Sequence, residues 1–403
     1  ALRAVGCLQD ETLLAEVAKG LADESPEVVA AACSSLGRMQ TPLSGELVEA
    51  IGKKLGDGRT RSAALEALMS LDKEVAGKHC DSVVSKCLGD QDVLTRERAI
   101  LVLGHAAEAL GPNQGLLETI TGQLKSQEAY QRCAAALALG KMGKTALGHA
   151  QSVADLLTDD AEDKTGLALQ VSGAFVRQPP FMKKPKCAGV VALGMLGKAW
   201  AAGAQDSDEW EFEGKLEGAL KDDDWEVRSC ALAALLQLGD KSKADPDAVA
   251  ALLEDDIFQV RAGACAVLGA LHAADKADQL ADVLADSAPS VRAAALLALA
   301  AMGEDAVDSA PKILARLGDH VDAVRAAAVR ALGSLGEYGR FYAGVLAGLL
   351  EEEPSAEVRR EVVEALGGME AVGASFADEV AAMLQDDAEP VRIAAQEALR
   401  RLR

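Results

Sequence analysis

Few side chains in this sequence have a type and spacing that could do chemistry, and the most regular of them are arginines. Arg228, Arg261, Arg292, Arg325, Arg359 and Arg392 recur at intervals of 33, 31, 33, 34 and 33, and Arg61, Arg96 and Arg132 carry the frame back towards the N-terminus. A guanidinium offers a rigid fork of donors that fits a carboxylate or a phosphate. An acid stands six positions before the frame position in most units: Asp23, Asp90, Asp222, Asp255, Asp286, Asp319, Glu353 and Asp386. Such an acid can cap the helix that follows and meet a guanidinium of its own or the adjacent unit, which predicts a ladder of charge-assisted hydrogen bonds. Phosphate binding is the competing chemistry, and the net charge of −22 opposes it by repelling polyanions.

Other constellations are sparse. His79, Cys80 and Cys87 form the one local group with ligand chemistry, and Cys80 and Cys87 share a helix face, but a structural zinc site needs four ligands and nothing nearby completes the set. Cys33, Cys133, Cys187, Cys230 and Cys265 fall just after the frame position, where a small buried side chain is wanted, so they read as core thiols of a reducing, intracellular compartment. Acid pairs such as Asp159/Asp160 and the run Asp222 to Asp224 read as solvated helix caps. No Gly-x-Ser-x-Gly elbow or Walker-type lysine loop is present, and Gly56-Asp57-Gly58 falls in a helix-joining turn. Neither catalytic residue, metal nor cofactor is expected.

The elements that must position the arginines follow from the period. A repeat of about 33 residues is one supersecondary unit that buries its apolar face only by stacking on its neighbours. In one unit Asp245 is a natural N-cap, Pro246 suits the first helical position, and Val249, Leu252 and Leu253 form an apolar stripe. The acidic turn at 254–256 leads to a second helix from about Val260, with Ala264, Val267 and Leu268 on one side. The pairs Gly140/Gly143, Gly194/Gly197 and Gly333/Gly336 close such helices, the first glycine allowing close helix contact and the second a left-handed turn. Val29 and Lys186 take the arginine position in two units. The intervals of 54 residues before Lys186 and 42 after it predict insertions at 158–184 and 200–213.

The runs Val-Arg-Ala-Ala-Ala-Val-Arg-Ala-Leu-Gly-Ser-Leu-Gly at 324–336 and Val-Arg-Ala-Gly-Ala-Cys-Ala-Val-Leu-Gly at 260–269 closely resemble HEAT repeats, especially the short, Ala-rich kind of the phycobilin-lyase-like branch. The resemblance is strong over 227–402 and weakens before Arg132. It implies an all-α fold, a right-handed α-α superhelix of about eleven helix pairs whose second helices line a concave face, and a role in protein assembly. HEAT-repeat hydroxylases hold iron with His-Glu pairs, but His79, His105, His149, His272 and His320 are followed by Cys, Ala, Ala, Ala and Val, so no iron site carries over.

The chain is expected to be a single solenoid over 1–403. Residues 1–6 already read as the end of a second helix and Arg403 as the last turn of another, so a longer parent protein is expected at both ends. No apolar run approaches 18 residues, so no membrane span is expected. Function is sought in the least repetitive segment, which holds Phe175, Phe181, Trp200, Trp210, Phe212 and Trp225 beside a basic, Pro-stiffened stretch at 177–186. In one reading the insertions fold back, with Trp200 and Trp225 plugging a joint and Lys183 and Lys184 meeting acids. In the other, Phe181, Met182, Lys183, Lys184, Trp210 and Phe212 bind a protein partner, the apolar ones standing proud as a docking knob. The function expected is a non-enzymatic scaffold or subunit that holds proteins within a larger assembly, with no nucleic-acid, membrane or small-molecule partner. A chromophore lyase or chaperone-like enzyme and a transport-carrier-like adaptor are the alternatives.

Overall fold

The computed structural model describes residues 13–39, 42–111, 113–163, 169–171, 174–176, 180–203 and 210–402. Residues 1–6 and 403, part of the basic stretch at 177–179 and the acids at 206–209 lie outside these.

The architecture is all-α, a succession of helix pairs. The second helices are α1 (Pro26–Arg38), α2 (Arg61–Met69), α3 (Val93–Leu110), α4 (Ala129–Met142), α5 (Pro185–Ala201), α6 (Trp225–Leu238), α7 (Phe258–Ala270), α8 (Pro289–Met302), α9 (Asp322–Gly333), α10 (Ala356–Gly368) and α11 (Glu389–Arg401). First helices are shorter and often tighten into a 3-10 turn, as where Pro246–Ala250 runs into Ala251–Glu254. Asp245 does cap that helix, its Oδ1 accepting from the Asp247 N–H at 3.0 Å. One departure from helix falls inside the first insertion, where β1 (Leu169–Val171) pairs antiparallel with β2 (Ala174–Val176).

Backbone contacts divide the chain into two units, Ala1–Ala219 and Leu220–Arg403. In the first, α1 packs on α2, α2 on α3, α3 on α4 and α4 on α5. In the second, α6 to α11 pack each on the next in the same manner. The cause is visible in α8. Pro289 opens it, Val291, Ala295, Leu299 and Met302 repeat at helical spacing and are buried, and Gly303 closes it at φ 60°.

Small residues set how closely the layers stack. A Cβ on Gly269 would lie 2.8 Å from Ala298 Cα, and one on Gly140 would lie 2.9 Å from Ala192 Cα, so glycine is required where neighbouring backbones nearly touch. The left-handed closing turn occurs at Gly143, Gly239, Gly303 and Gly336, and His272 and Glu370 adopt it at the same position in their units despite their side chains. Gly197 departs from the expected closure: α5 runs through both Gly194 and Gly197 to Ala201.

Candidate functional site

The acidic turn before each second helix and the arginine one turn inside it form a continuous ladder in the C-terminal unit. Arg228 Nη1 donates to the carbonyls of Asp222 and Asp223 at 2.8 and 3.0 Å, while Nε and Nη2 donate to both carboxylate oxygens of Asp255, in the next repeat, at 2.7 and 3.0 Å. Asp255 Oδ1 also accepts from the Ile257 N–H at 2.9 Å. Arg261 repeats the arrangement on Asp286, Arg292 on Asp319, Arg325 on Glu353 and Arg359 on Asp386. Each guanidinium therefore ties its own turn to the turn of the following repeat, and each carboxylate caps the helix behind it. In the N-terminal unit Arg132 grips Asp159 at 2.6 and 3.1 Å, and Arg61 pairs with Asp90.

Electrostatics follow from this geometry. The Arg261 fork, against the opposing cost of burial, and the Ala288 N–H hold Asp286 below the usual carboxylate range. The same kind of contacts from Arg359 and Ala388 bring Asp386 down to about 2. Burial pushes Asp319 up, but the bonds from Arg292 and Val321 outweigh it and leave the carboxyl below its ordinary value. These acids are ionised and committed, which suits them to holding repeats together and not to proton transfer.

Arg96 is the exception. It is buried and its Nη1 meets the carbonyls of Asp90 and Gln91 at 2.8 and 2.9 Å, but Nε and Nη2 have no hydrogen-bond partner among the described residues. The position that supplies the acid elsewhere is Ser126, whose Oγ still accepts from the Glu128 N–H at 3.2 Å but is too short to bridge to the previous turn. The Tyr130 ring covers the guanidinium instead, 4.8 Å from its centroid. Arg392 donates to the carbonyls of Asp386 and Asp387 as the other arginines do.

The central segment departs from the expected knob. Met182, Trp210 and Phe212 are buried and Phe181 is half-buried. Trp210 lies 5.6 Å from the Trp200 ring and 5.0 Å from Phe212, so these aromatics bury one another's faces and do not stand proud. Pro180–Lys183 packs on α4, and Lys183 Nζ reaches Glu162 at 3.0 Å. Lys184 is partly exposed, and Lys186 pairs with Asp160. Large apolar side chains gain more from burial against one another than from exposure.

The described cysteines sit in the core. Burial pushes the thiols of Cys133 and Cys265 up to about 12 and that of Cys33 to about 11, so they remain protonated. Cys80 and Cys87 are buried as well. Among the described residues no group of three His, Cys, Asp or Glu side chains converges as a metal site requires. No described helix is long and apolar enough to cross a membrane.

A family model described as HEAT repeats matches residues 246–333 and 310–400. The chain carries HEAT repeats over 246–400. Its fold is similar to that of importin beta (14% identity, TM-score 0.62, covering 96% of this chain and 57% of that one) and of Kap95p in a structure with RanGDP (14%, 0.61, 97% and 57%). It is also similar to the karyopherin Kap121p bound to the extreme C-terminus of the phosphatase Cdc14p (15%, 0.58, 97% and 45%). The chain thus spans about half the length of these karyopherins. No curated protein matches its sequence.

An apolar hollow lies on the second helices of the C-terminal unit. Between α7 and α8 a groove of about 330 Å³ is lined by Ala266, Gly269, Ala270, Ala294, Leu297 and Ala301, with His272, whose Nδ1 lies 2.9 Å from the Ala301 carbonyl, at one end of α7. Leu297 is 43% exposed at the middle of α8, and Phe258 is 45% exposed at the start of α7. Sequence reasoning missed both, because alanine-rich helices are apolar on every side and give no phase that separates a buried leucine from an exposed one. A second cleft of about 720 Å³ lies between the first helices, but Asp247, Asp282 and Asp286 on its walls are already paired with Lys276, Lys312 and Arg261.

Proposed function

We propose that this chain is a non-enzymatic scaffold that holds other proteins within a multi-subunit assembly. The observation that carries the reading is the groove between α7 and α8, lined by alanine and glycine with Leu297 exposed. Alanine lining admits a helix or an extended strand to close approach, and the solvent-facing Leu297 recovers burial when a partner covers it. The ladder supports the same function, since a row of bidentate pairs keeps successive repeats in register and presents their faces at fixed spacing. The ladder acids are committed to arginines and the buried Cys265 thiol is protonated, which suits them to holding the fold together.

The test is affinity capture from the native source with the whole chain as bait, quantified by mass spectrometry against Leu297→Glu. A partner that is retained by the parent chain and lost with Leu297→Glu, at unchanged helicity and melting, is the expected result. A bait that retains nothing beyond an unrelated acidic control protein refutes the scaffold reading.

A further inference from the structure

The most exposed aromatic among the described residues is Phe341, in the C-terminal unit. Tyr338–Tyr342 forms a 3-10 turn that continues into the first helix Ala343–Glu352. Tyr338 and Phe341, three apart in that turn, stand one above the other, and Val345 follows a turn later on the same side. Phe341 is 82% exposed, Tyr338 54% and Val345 49%. In a chain with 3% aromatic residues, two rings and a valine aligned in solvent on one strip form a contiguous apolar surface. Gly348, exposed, keeps one flank bare, since a Cβ there would meet nothing within 4 Å, while a Cβ on Gly344 would lie 3.7 Å from the Phe376 ring. A partner backbone can therefore approach beside the rings.

The surroundings are acidic. Glu337 adjoins Tyr338 with its side chain 84% exposed, and the Glu304 side chain crowds Gly336 just before it. Helix Ala377–Ala382, which packs against Ala343–Glu352, presents Asp378 and Glu379 to solvent. Glu351 and Glu352 are exposed at the end of the strip's own helix. Arg340, the cation within the strip, is bound to Glu370 at 2.7 Å. From 337 to 387 the sequence has twelve Asp and Glu against three arginines and no lysine.

We propose that Tyr338, Phe341 and Val345 form a docking strip for a protein partner that offers an apolar pocket rimmed by lysine or arginine. Burying the rings supplies the affinity, and the acidic rim selects the sign of the partner's charge and speeds encounter. A second copy of this chain does not fit, because it would bring one acidic rim against another on molecules of net charge −22. The strip deepens the scaffold reading and rests on it. The groove at Leu297 is a separate surface, so a strip variant that binds as the parent does sinks this proposal while capture through Leu297 leaves the scaffold reading standing.

The experiment uses the whole chain and two labelled helical peptides of identical apolar content, one alternating Leu with Arg and one Leu with Glu, followed by fluorescence anisotropy. The Leu/Arg peptide is expected to bind, and Tyr338→Ser with Phe341→Ser to weaken it about tenfold or more, while Leu297→Ser leaves it unchanged. Restoring the ring alone, as Phe341→Trp, is expected to keep full binding. The Leu/Glu peptide is expected to bind at least about tenfold more weakly. Equal binding of the Leu/Arg peptide to the parent and the double variant means diffuse attraction to an acidic protein and overturns the proposal. So does no binding of either peptide at about 100 μM. A dimer by light scattering that the double variant converts to monomer assigns the strip to a second copy, and also overturns it.

Discussion

Removing one member of a ladder rung measures how much that rung contributes, and Arg292 with Asp319 is the most enclosed of them, their side chains 6% and 3% exposed. Asp319→Ala removes two charge-assisted bonds, each 2.8 Å, and the acceptor of the Val321 N–H at 3.0 Å. Arg292 keeps the carbonyls of Asp286 and Ser287 but has no anion. A buried charge left in that state costs about 3–5 kcal/mol. Replacing both partners, as Arg292→Met with Asp319→Leu, is expected to cost less than Asp319→Ala alone, because no buried charge remains. An internal comparison is Glu361→Ala: its partners Arg330 and Arg360 are 52% and 29% exposed and can hydrate, so about 1 kcal/mol or less is expected. Repeat arrays need not unfold in one step, so amide hydrogen exchange in α8 and α9 should accompany urea melts. Exchange through local opening should rise about a hundredfold or more in Asp319→Ala. Equal effects of Asp319→Ala and Glu361→Ala would refute the claim that enclosure gives the ladder its stabilising role.

Stability should fall in acid along a definite limb: the ladder carboxyls have lowered folded pKa values, so their contribution is complete at neutral pH and is lost as pH drops from about 4 through the value near 2 held by Asp386, read by circular dichroism across that range. Ser126→Asp should complete the broken rung at Arg96 and raise the urea midpoint, with a gain of about 1–3 kcal/mol; no change would mean that the Tyr130 ring already satisfies the guanidinium. Gly269→Ala should cost about 1–3 kcal/mol, because its Cβ would land 2.8 Å from the Ala298 backbone, and a thermal melt of the variant checks it. Trp210→Ala should cost about 3–5 kcal/mol and shift the emission of Trp200; a melt within error of the parent would restore the docking-knob interpretation.

The period of the arginines, the acid six residues before each and the caps at Asp245 and Pro246 are legible in the sequence, because each depends on residues a few positions apart in one chain segment. The order of helices follows from the same local rules, and so do the closing glycines, apart from Gly197. Tertiary structure decided which acid each arginine meets, since a guanidinium reaches an equivalent carboxylate in its own turn or the next one, and stacking brings the next one into range. Stacking also decided the fate of the aromatics. Phe212 and Trp210 on one hand, and Phe341 and Tyr338 on the other, are all aromatic, yet the first pair is buried and the second faces water. Composition fixes how much apolar surface a helix has, whereas the neighbouring repeat determines which side of it stays uncovered.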